Sequence, residues 1–277
     1  MTDPVATIVL PTFDREGTIE LAIRHALAQT VPVELFIIGD GVPAARAERL
    51  RAVAQADERI RYFHHSKHAR RGEPYRDTAL KEARGRIVCY LCDRDLWLPD
   101  HVATMAAMLE HADFCHSLPV HIFPGDEIRT YSTDLAIPIH RRNMLTLWNR
   151  VPLSCAAHSL AFYRMLDRGW DDTPDGELTD WHFFKKFLRR ADCRCVSGID
   201  PSAVTFPARP RAGWSDERRM AEMADWAARI ATDAGRLATR LAIVSKAVKD
   251  RDLLLGHCYT RMIELNQAAR QSQPSGD

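Results

Sequence analysis

The residues able to do chemistry stand where apolar runs end. Asp93-Arg94-Asp95 follows Ile87-Val88-Cys89-Tyr90-Leu91. In extended chain, residues i and i+2 point the same way. Two carboxylates so placed can hold one hard divalent cation, Mn²⁺ or Mg²⁺, with phosphate oxygens filling other positions. The plainer use of such a pair is to cap the helix that begins near Pro99, or to sit in solvent. Pro11-Thr12-Phe13-Asp14-Arg15 follows the run Val5–Leu10, and Gly39-Asp40-Gly41 follows Val33–Ile38. His64, His65 and His68 with Arg70 and Arg71 suit either a bound phosphate or a solvated loop over one. Cys193-x-Cys195 lacks the spacing of a zinc site and reads as packed thiols. The sequence contains neither GxGxxG nor GxxxxGK[ST], which removes the main warrant for a dinucleotide-binding sheet or a P-loop.

For these loops to meet, the runs before them must be neighbouring strands. The sequence predicts strands over 5–10, 33–38, 60–63 and 86–92, with helices over 18–30, 43–56, 73–84 and 99–111 between and after them. Aliphatic strands separated by helices argue for a mainly parallel sheet covered on both faces. In such a sheet ligands sit beyond the carboxyl ends of the strands, where all three loops fall. Beyond residue 112 the pattern loosens. Residues 114–123 and 128–139 read as extended chain, 141–148 as a short helix, 159–163 as a strand, 178–190 as a helix and 193–197 as a strand. Pro201, Pro207 and Pro210 mark a connection.

From Asp216 the chain reads as helix. Ala234, Leu237, Leu241, Val244, Val248, Leu255, Cys258, Met262, Leu265 and Ala269 recur at steps of three and four, interrupted only by Arg251. Such a stripe serves a helix-to-helix contact, within the chain or in a homodimer, ahead of a membrane-surface role. Three segments follow: 1–111, 112–212 and 213–277.

Composition bounds the partners. Among 277 residues, 38 Lys and Arg balance 37 Asp and Glu for a net charge of +1, and 46% are hydrophobic. That excludes a disordered or collagen-like chain and argues against nucleic acid as a partner. No apolar run approaches the roughly 18–20 residues that span a bilayer, and Val5–Leu10 reads as a strand rather than a signal peptide. Seven scattered cysteines suit a reducing, cytoplasmic setting, with the inner membrane face as a peripheral location.

Taken in order, five blocks resemble the family 2 glycosyltransferases of the GT-A fold. They are Val5–Arg15, Ala26–Thr30, Phe36–Gly41, Arg76–Leu80 with Ala83–Gly85, and Tyr90–Pro99, covering roughly residues 5–110. A weaker likeness runs on to about residue 190. There Gly169-Trp170-Asp171-Asp172, then Thr179-Asp180-Trp181-His182-Phe183-Phe184, is similar to the segment that carries the family's catalytic carboxylate.

The resemblance implies an α/β GT-A fold, a nucleotide-binding sheet flanked by helices, with a C-terminal helical extension. It implies an inverting transfer of sugar from a nucleotide-diphosphate donor to a saccharide or other hydroxyl acceptor, as in polysaccharide biosynthesis. Pro11, Thr12, Phe13, Arg15, Asp40, Arg76, Asp93 and Arg94 would hold the donor. Asp93, Asp95 and His158 would serve the metal, and Asp180 would be the general base. A capping role for Asp180 and a core role for His158 are the bland readings. Two departures stand out. The family's usual first acid after the second strand is Gly39 here, and its run of acids before Leu96-Trp97-Leu98-Pro99 contains Cys92 and Arg94. Arg94 would supply part of the charge neutralisation expected of the metal. The departures also suit a different class of protein: a non-catalytic nucleotide-binding or assembly module whose C-terminal helix recruits a partner.

Overall fold

The computed structural model describes residues 3–15 and 17–271; Met1, Thr2, Glu16 and residues 272–277 lie outside it. Seven strands form the central sheet in the order β10-β6-β9-β4-β1-β2-β3. β1 (Ala6–Thr12), β2 (Val33–Asp40), β3 (Ile60–His65) and β4 (Ile87–Tyr90) run parallel, with α1 (Thr18–Leu27), α2 (Ala44–Ala56) and α3 (Glu73–Leu80) between them. β1 and β2 are buried along nearly their whole length, as expected for strands covered on both faces. Glu34 in β2 is buried too. Thr7 Oγ1 donates to its Oε1, as does the Arg84 amide, and the Arg84 guanidinium pairs with its Oε2 at 3.0 Å. That cluster ties the start of the sheet to the end of α3.

β5 (Leu96–Trp97) leads into α4 (His101–Met108), followed by β6 (Phe114–His116). The stretch expected to be extended over 114–123 breaks at Ser117–Pro119. Its second half, β7 (Val120–Phe123), forms a hairpin with β8 (Glu127–Thr130). Helix α5 begins at Pro138, three residues ahead of the expected start, because proline is well placed in a helix's first turn. The strand expected over 159–163 is a correction. The strand is β9 (Ala156–Ser159), and Leu160–Arg164 is the helix α6, whose cap Ser159 accepts from the Phe162 amide at 3.1 Å. β9 runs antiparallel between β4 and β6, so the otherwise parallel sheet carries one reversed strand. After α7 (Thr179–Leu188), β10 (Cys195–Ser197) completes the sheet edge, and β11 (Ala203–Val204) pairs with β5.

The helical C-terminal segment is two helices rather than one: α8 (Asp216–Arg229) and α9 (Asp233–Gln271), parted at residues 230–232. At 39 residues, α9 is about 58 Å long. One face is held by the body through buried Ile243, partly buried Ala247, and Arg240, which pairs with Asp100 and Asp200. From Arg251 to Gln267 every residue is exposed. Among the described residues no helix is long and apolar enough to cross a membrane.

Candidate active site

The carboxyl ends of β1, β2 and β4 open into a cavity of about 570 Å³. Pro11, Thr12, Phe13 and Arg15 line it from β1 and the loop after it, and Asp40 from the end of β2. Arg76 comes from α3, Asp93 and Arg94 from the turn after β4, and Asp180 from the first turn of α7. Nine of the sequence-predicted residues therefore share one space. Leu178 is the α7 N-cap residue, so Asp180 does not cap that helix; its Oδ1 accepts from the Trp181 amide at 2.9 Å.

Charge inside the cavity is dense. Burial raises the Asp93 carboxyl above its ordinary range, opposed by Arg94, by the hydrogen bond from Thr12 Oγ1 to Oδ2 at 2.9 Å, and by Arg15. Thr12 is the one hydrogen-bond donor to Asp93 among the described residues, and it reaches Oδ2 alone. Burial works against the charge on Arg94. Even so, Cys92 and the carboxylates of Asp95, Asp93 and Asp180 hold its guanidinium above the usual range. Burial also raises Asp180, against the pull of the Trp181 amide, Arg71 and Arg76. Arg76 is buried over the Trp170 ring at 4.6 Å. Its Nη2 donates to Arg71 O at 2.7 Å, and its Nε and Nη1 have no hydrogen-bond partner among the described residues. Orphaned donors in a buried guanidinium call for an acceptor such as a phosphate or ribose oxygen.

Two predicted ligands are not brought to this cavity. Asp93 and Asp95 lie in a turn closed by the Asp95 amide on Cys92 O at 3.1 Å, not in extended chain, so their side chains part. Asp95 accepts from Ser154 Oγ at 2.5 Å and from the Phe206 amide at 2.9 Å, and it anchors the turn. His158 is fully buried in β9. Its Nε2 meets Tyr90 Oη at 2.7 Å and its Nδ1 meets Ser159 O at 3.0 Å, with Tyr163 and Phe187 rings against it. Both ring nitrogens are engaged and burial lowers its pKa to about 4, so the metal-ligand expectation is withdrawn in favour of a core histidine.

Position 39 leaves little room for a side chain. A Cβ there would lie 2.7 Å from Tyr62 Oη and 3.0 Å from Val42 Cγ2. Asp40 is spoken for as well. Its Oδ2 pairs with Lys67 Nζ at 2.6 Å and its Oδ1 accepts from the His68 amide at 2.6 Å. Those contacts fold the basic stretch over the cavity, where Lys67, Arg70 and Arg71 line it. Gly72, at φ +67°, lets this loop turn back against Asp40. Lys67 Nζ also sits 5.0 Å over the half-exposed Phe13 ring.

Sequence reasoning passed over Glu73. It is buried, and it accepts from Thr173 Oγ1 at 2.8 Å, Thr179 Oγ1 at 3.2 Å and the Arg71 amide at 2.8 Å. One carboxylate thus ties the basic loop to the start of α7 and positions Asp180. With His68 and Asp172 it forms the one group of three among the described residues whose ligand atoms lie within 4.8 Å of one another. Its oxygens are already taken by Thr173, Thr179 and the Arg71 amide, which makes the group a structural brace. A second cavity of about 600 Å³ adjoins the first, and Arg71, Cys92, Arg94, Leu153, Leu178 and Asp180 line both.

The family model described as Glycosyl transferase family 2 matches residues 7–170. Over 110 residues the chain is 28% identical to the Escherichia coli UDP-Glc:alpha-D-GlcNAc-diphosphoundecaprenol beta-1,3-glucosyltransferase WfgD, covering 39% of this chain and 42% of that protein. It therefore spans less than half the length of this curated relative. Among solved structures, the S. aureus TarS 1-349 crystal structure superposes with a TM-score of 0.58 at 14% identity, covering 79% of this chain and 70% of that one. The mannosyltransferase PcManGT from Pyrobaculum calidifontis, solved in complex with GDP-Man and Mn²⁺, gives 0.54 at 18% identity, covering 90% and 65%. These structures share the fold, a GT-A sheet with its flanking helices. With the match running from β1 past β9, through every loop that lines the cavity except the one bearing Asp180, the chain belongs to glycosyltransferase family 2.

Proposed function

We propose that the protein transfers a sugar from a nucleotide-diphosphate donor to an acceptor hydroxyl with inversion at the anomeric carbon. The observation that carries this reading is Asp180, which lines the Asp93 cavity and also the cavity next to it. Phe13 and Thr12 face the base and ribose, and the unpartnered nitrogens of Arg76 serve the nucleotide's oxygens. Arg94 and Arg15 bring fixed positive charge to the diphosphate. Asp93 would offer one carboxylate to a divalent cation whose other positions the diphosphate oxygens would fill, while Asp95 holds the turn. Mn²⁺ or Mg²⁺ bound there would supply Lewis-acid stabilisation of the leaving diphosphate. Asp180 accepts the acceptor's proton as its oxygen attacks from the face opposite the leaving group. A single displacement turns an α-linked donor into a β-linked product. The seven free cysteines suit a reducing compartment, so we place the reaction in the cytoplasm.

Calorimetric titration of the purified chain with UDP and GDP tests the donor site. Mn²⁺ is expected to tighten the favoured nucleotide at least about tenfold, and Asp93→Asn to abolish that gain while keeping metal-free binding. Equal affinity in chelator and in Mn²⁺ removes the cation; no binding of either nucleotide removes the donor site.

We also propose that α9 joins two copies of the chain. Leu237, Leu241, Val244, Val248, Leu255, Cys258, Met262 and Leu265 are all exposed, along a seam distinct from the face that Ile243 buries. Ala269 of the same stripe lies outside the described side chains. Steps of three and four over some thirty residues are the spacing that a second like helix fills. Light scattering is expected to give twice the 31.4 kDa chain mass, and Leu241→Glu with Met262→Glu to return the monomer. A monomeric wild type at tens of micromolar, or a double variant that stays dimeric, refutes the seam.

A further inference from the structure

The second cavity carries two arginines, Arg150 and Arg209, that the transfer chemistry does not use. Arg71, Arg94, Arg150 and Arg209 line it against the carboxylates of Asp95 and Asp180. Asp95 is already bonded to Ser154 and Phe206, and Asp180 sits at the border with the donor cavity. Arg150 and Arg209 have no carboxylate partner among the described residues, and neither lines the donor cavity. Arg150 lies 4.7 Å from the Trp148 ring centre and 5.5 Å from that of Tyr131. The two rings flank the guanidinium, and its N–H fork makes no hydrogen bond to another described residue. Trp148 remains 42% exposed and offers a flat apolar face beside it. An arginine steadied by aromatics and lacking a counter-ion is built to receive an oxyanion in bidentate fashion.

Resting on the donor reading above, we infer that the acceptor carries a phosphate group next to the saccharide or polyol whose hydroxyl reacts. Arg150 and Arg209 receive the phosphate oxygens, Trp148 stacks against the ring, and the hydroxyl reaches Asp180 at the junction of the two cavities. The anion is thereby bound beyond the donor's diphosphate, which Arg15 and Arg76 serve from the first cavity, with Arg94 at the border of the two. Neutral acceptors would leave two guanidiniums without a partner, so the pocket discriminates by charge.

Calorimetry on the full chain, with the donor cavity filled by nucleoside diphosphate and Mn²⁺, decides the matter. The probes are α-GlcNAc 1-phosphate for a sugar phosphate, glycerol 1-phosphate for a polyol phosphate, and methyl β-GlcNAc as the neutral sugar. At least one phosphorylated probe is expected to bind about tenfold or more tighter than the neutral sugar, and the tighter of the two identifies the source. Arg150→Ala with Arg209→Ala is expected to erase that preference while leaving nucleoside diphosphate affinity unchanged. A phosphorylated probe that binds no better than the neutral sugar overturns the inference, and so does a preference that survives the double substitution. Nucleoside diphosphate affinity, measured in the same samples, reports the donor reading separately: its loss in the wild type sinks that reading, and the probe ratio without nucleotide still decides the anion.

Discussion

Asp180→Asn is expected to lower kcat/KM for sugar transfer by about 10²–10⁴-fold, the usual contribution of a positioned general base. The amide keeps the side chain's size and can still accept from the Trp181 amide, so α7 and the cavity wall should persist. It cannot take a proton. Nucleoside diphosphate affinity should therefore stay near wild type while turnover collapses, which separates chemistry from binding. Burial raises the Asp180 carboxyl, so the acidic limb of the rate profile should fall at higher pH than an ordinary carboxylate near 3.8 would give. Below that limb the base is already protonated and the rate is lost. Wild-type turnover by Asp180→Asn, measured by product formation from a panel of nucleotide sugars, would remove the residue from the mechanism.

Acidification should destabilise the fold steeply and independently of activity. His101, His116 and His158 are fully buried, and burial lowers their pKa values to about 3, 4 and 4. Burial holds each neutral, against the opposing pull of the hydrogen bonds to Ser202 for His101, Ser117 O for His116 and Ser159 O for His158. In the unfolded chain they titrate near 6.5. Above that pH both states are neutral and the linkage vanishes. As pH falls below it the unfolded chain takes up protons that the folded one refuses, and stability drops. From pH 6.5 to pH 5 each histidine costs about 1.6 kcal/mol, or about 5 kcal/mol for the three. Asp93 and Asp180, whose pKa values burial raises, act in the opposite sense. Urea unfolding midpoints at pH 7 and pH 5 measure the difference; equal midpoints would mean that these histidines are not held neutral.

Local pattern was enough to locate the loops after β1, β2 and β4, because aliphatic strands and helix-spaced apolar residues leave little choice about where a parallel sheet puts its carboxyl ends. The fate of Asp95 was not legible. Its two hydrogen bonds reach 59 and 111 residues along the chain, and they convert an extended pair into a turn. His158 was misread for a related reason. β9 enters the sheet antiparallel between β4 and β6, and no spacing within residues 112–160 announces that its histidine will face a ring cluster. The basic stretch around Arg70 was ambiguous until Asp40 pinned it from 27 and 28 residues away. Glu73 passed as one more acidic residue in a helix's first turn; only its partners at Thr173 and Thr179 mark it.

Tyr62 stands where a side chain at position 39 would go, its hydroxyl on His64 Nδ1 at 3.0 Å. The two positions are therefore coupled: a carboxylate at 39 needs the phenol at 62 to swing aside or to give way to a smaller side chain. Tyr62 is half-buried, so its loss would open space to solvent rather than an enclosed hole. Relatives that carry an acid at the matching place should show a smaller neighbour on the adjoining strand.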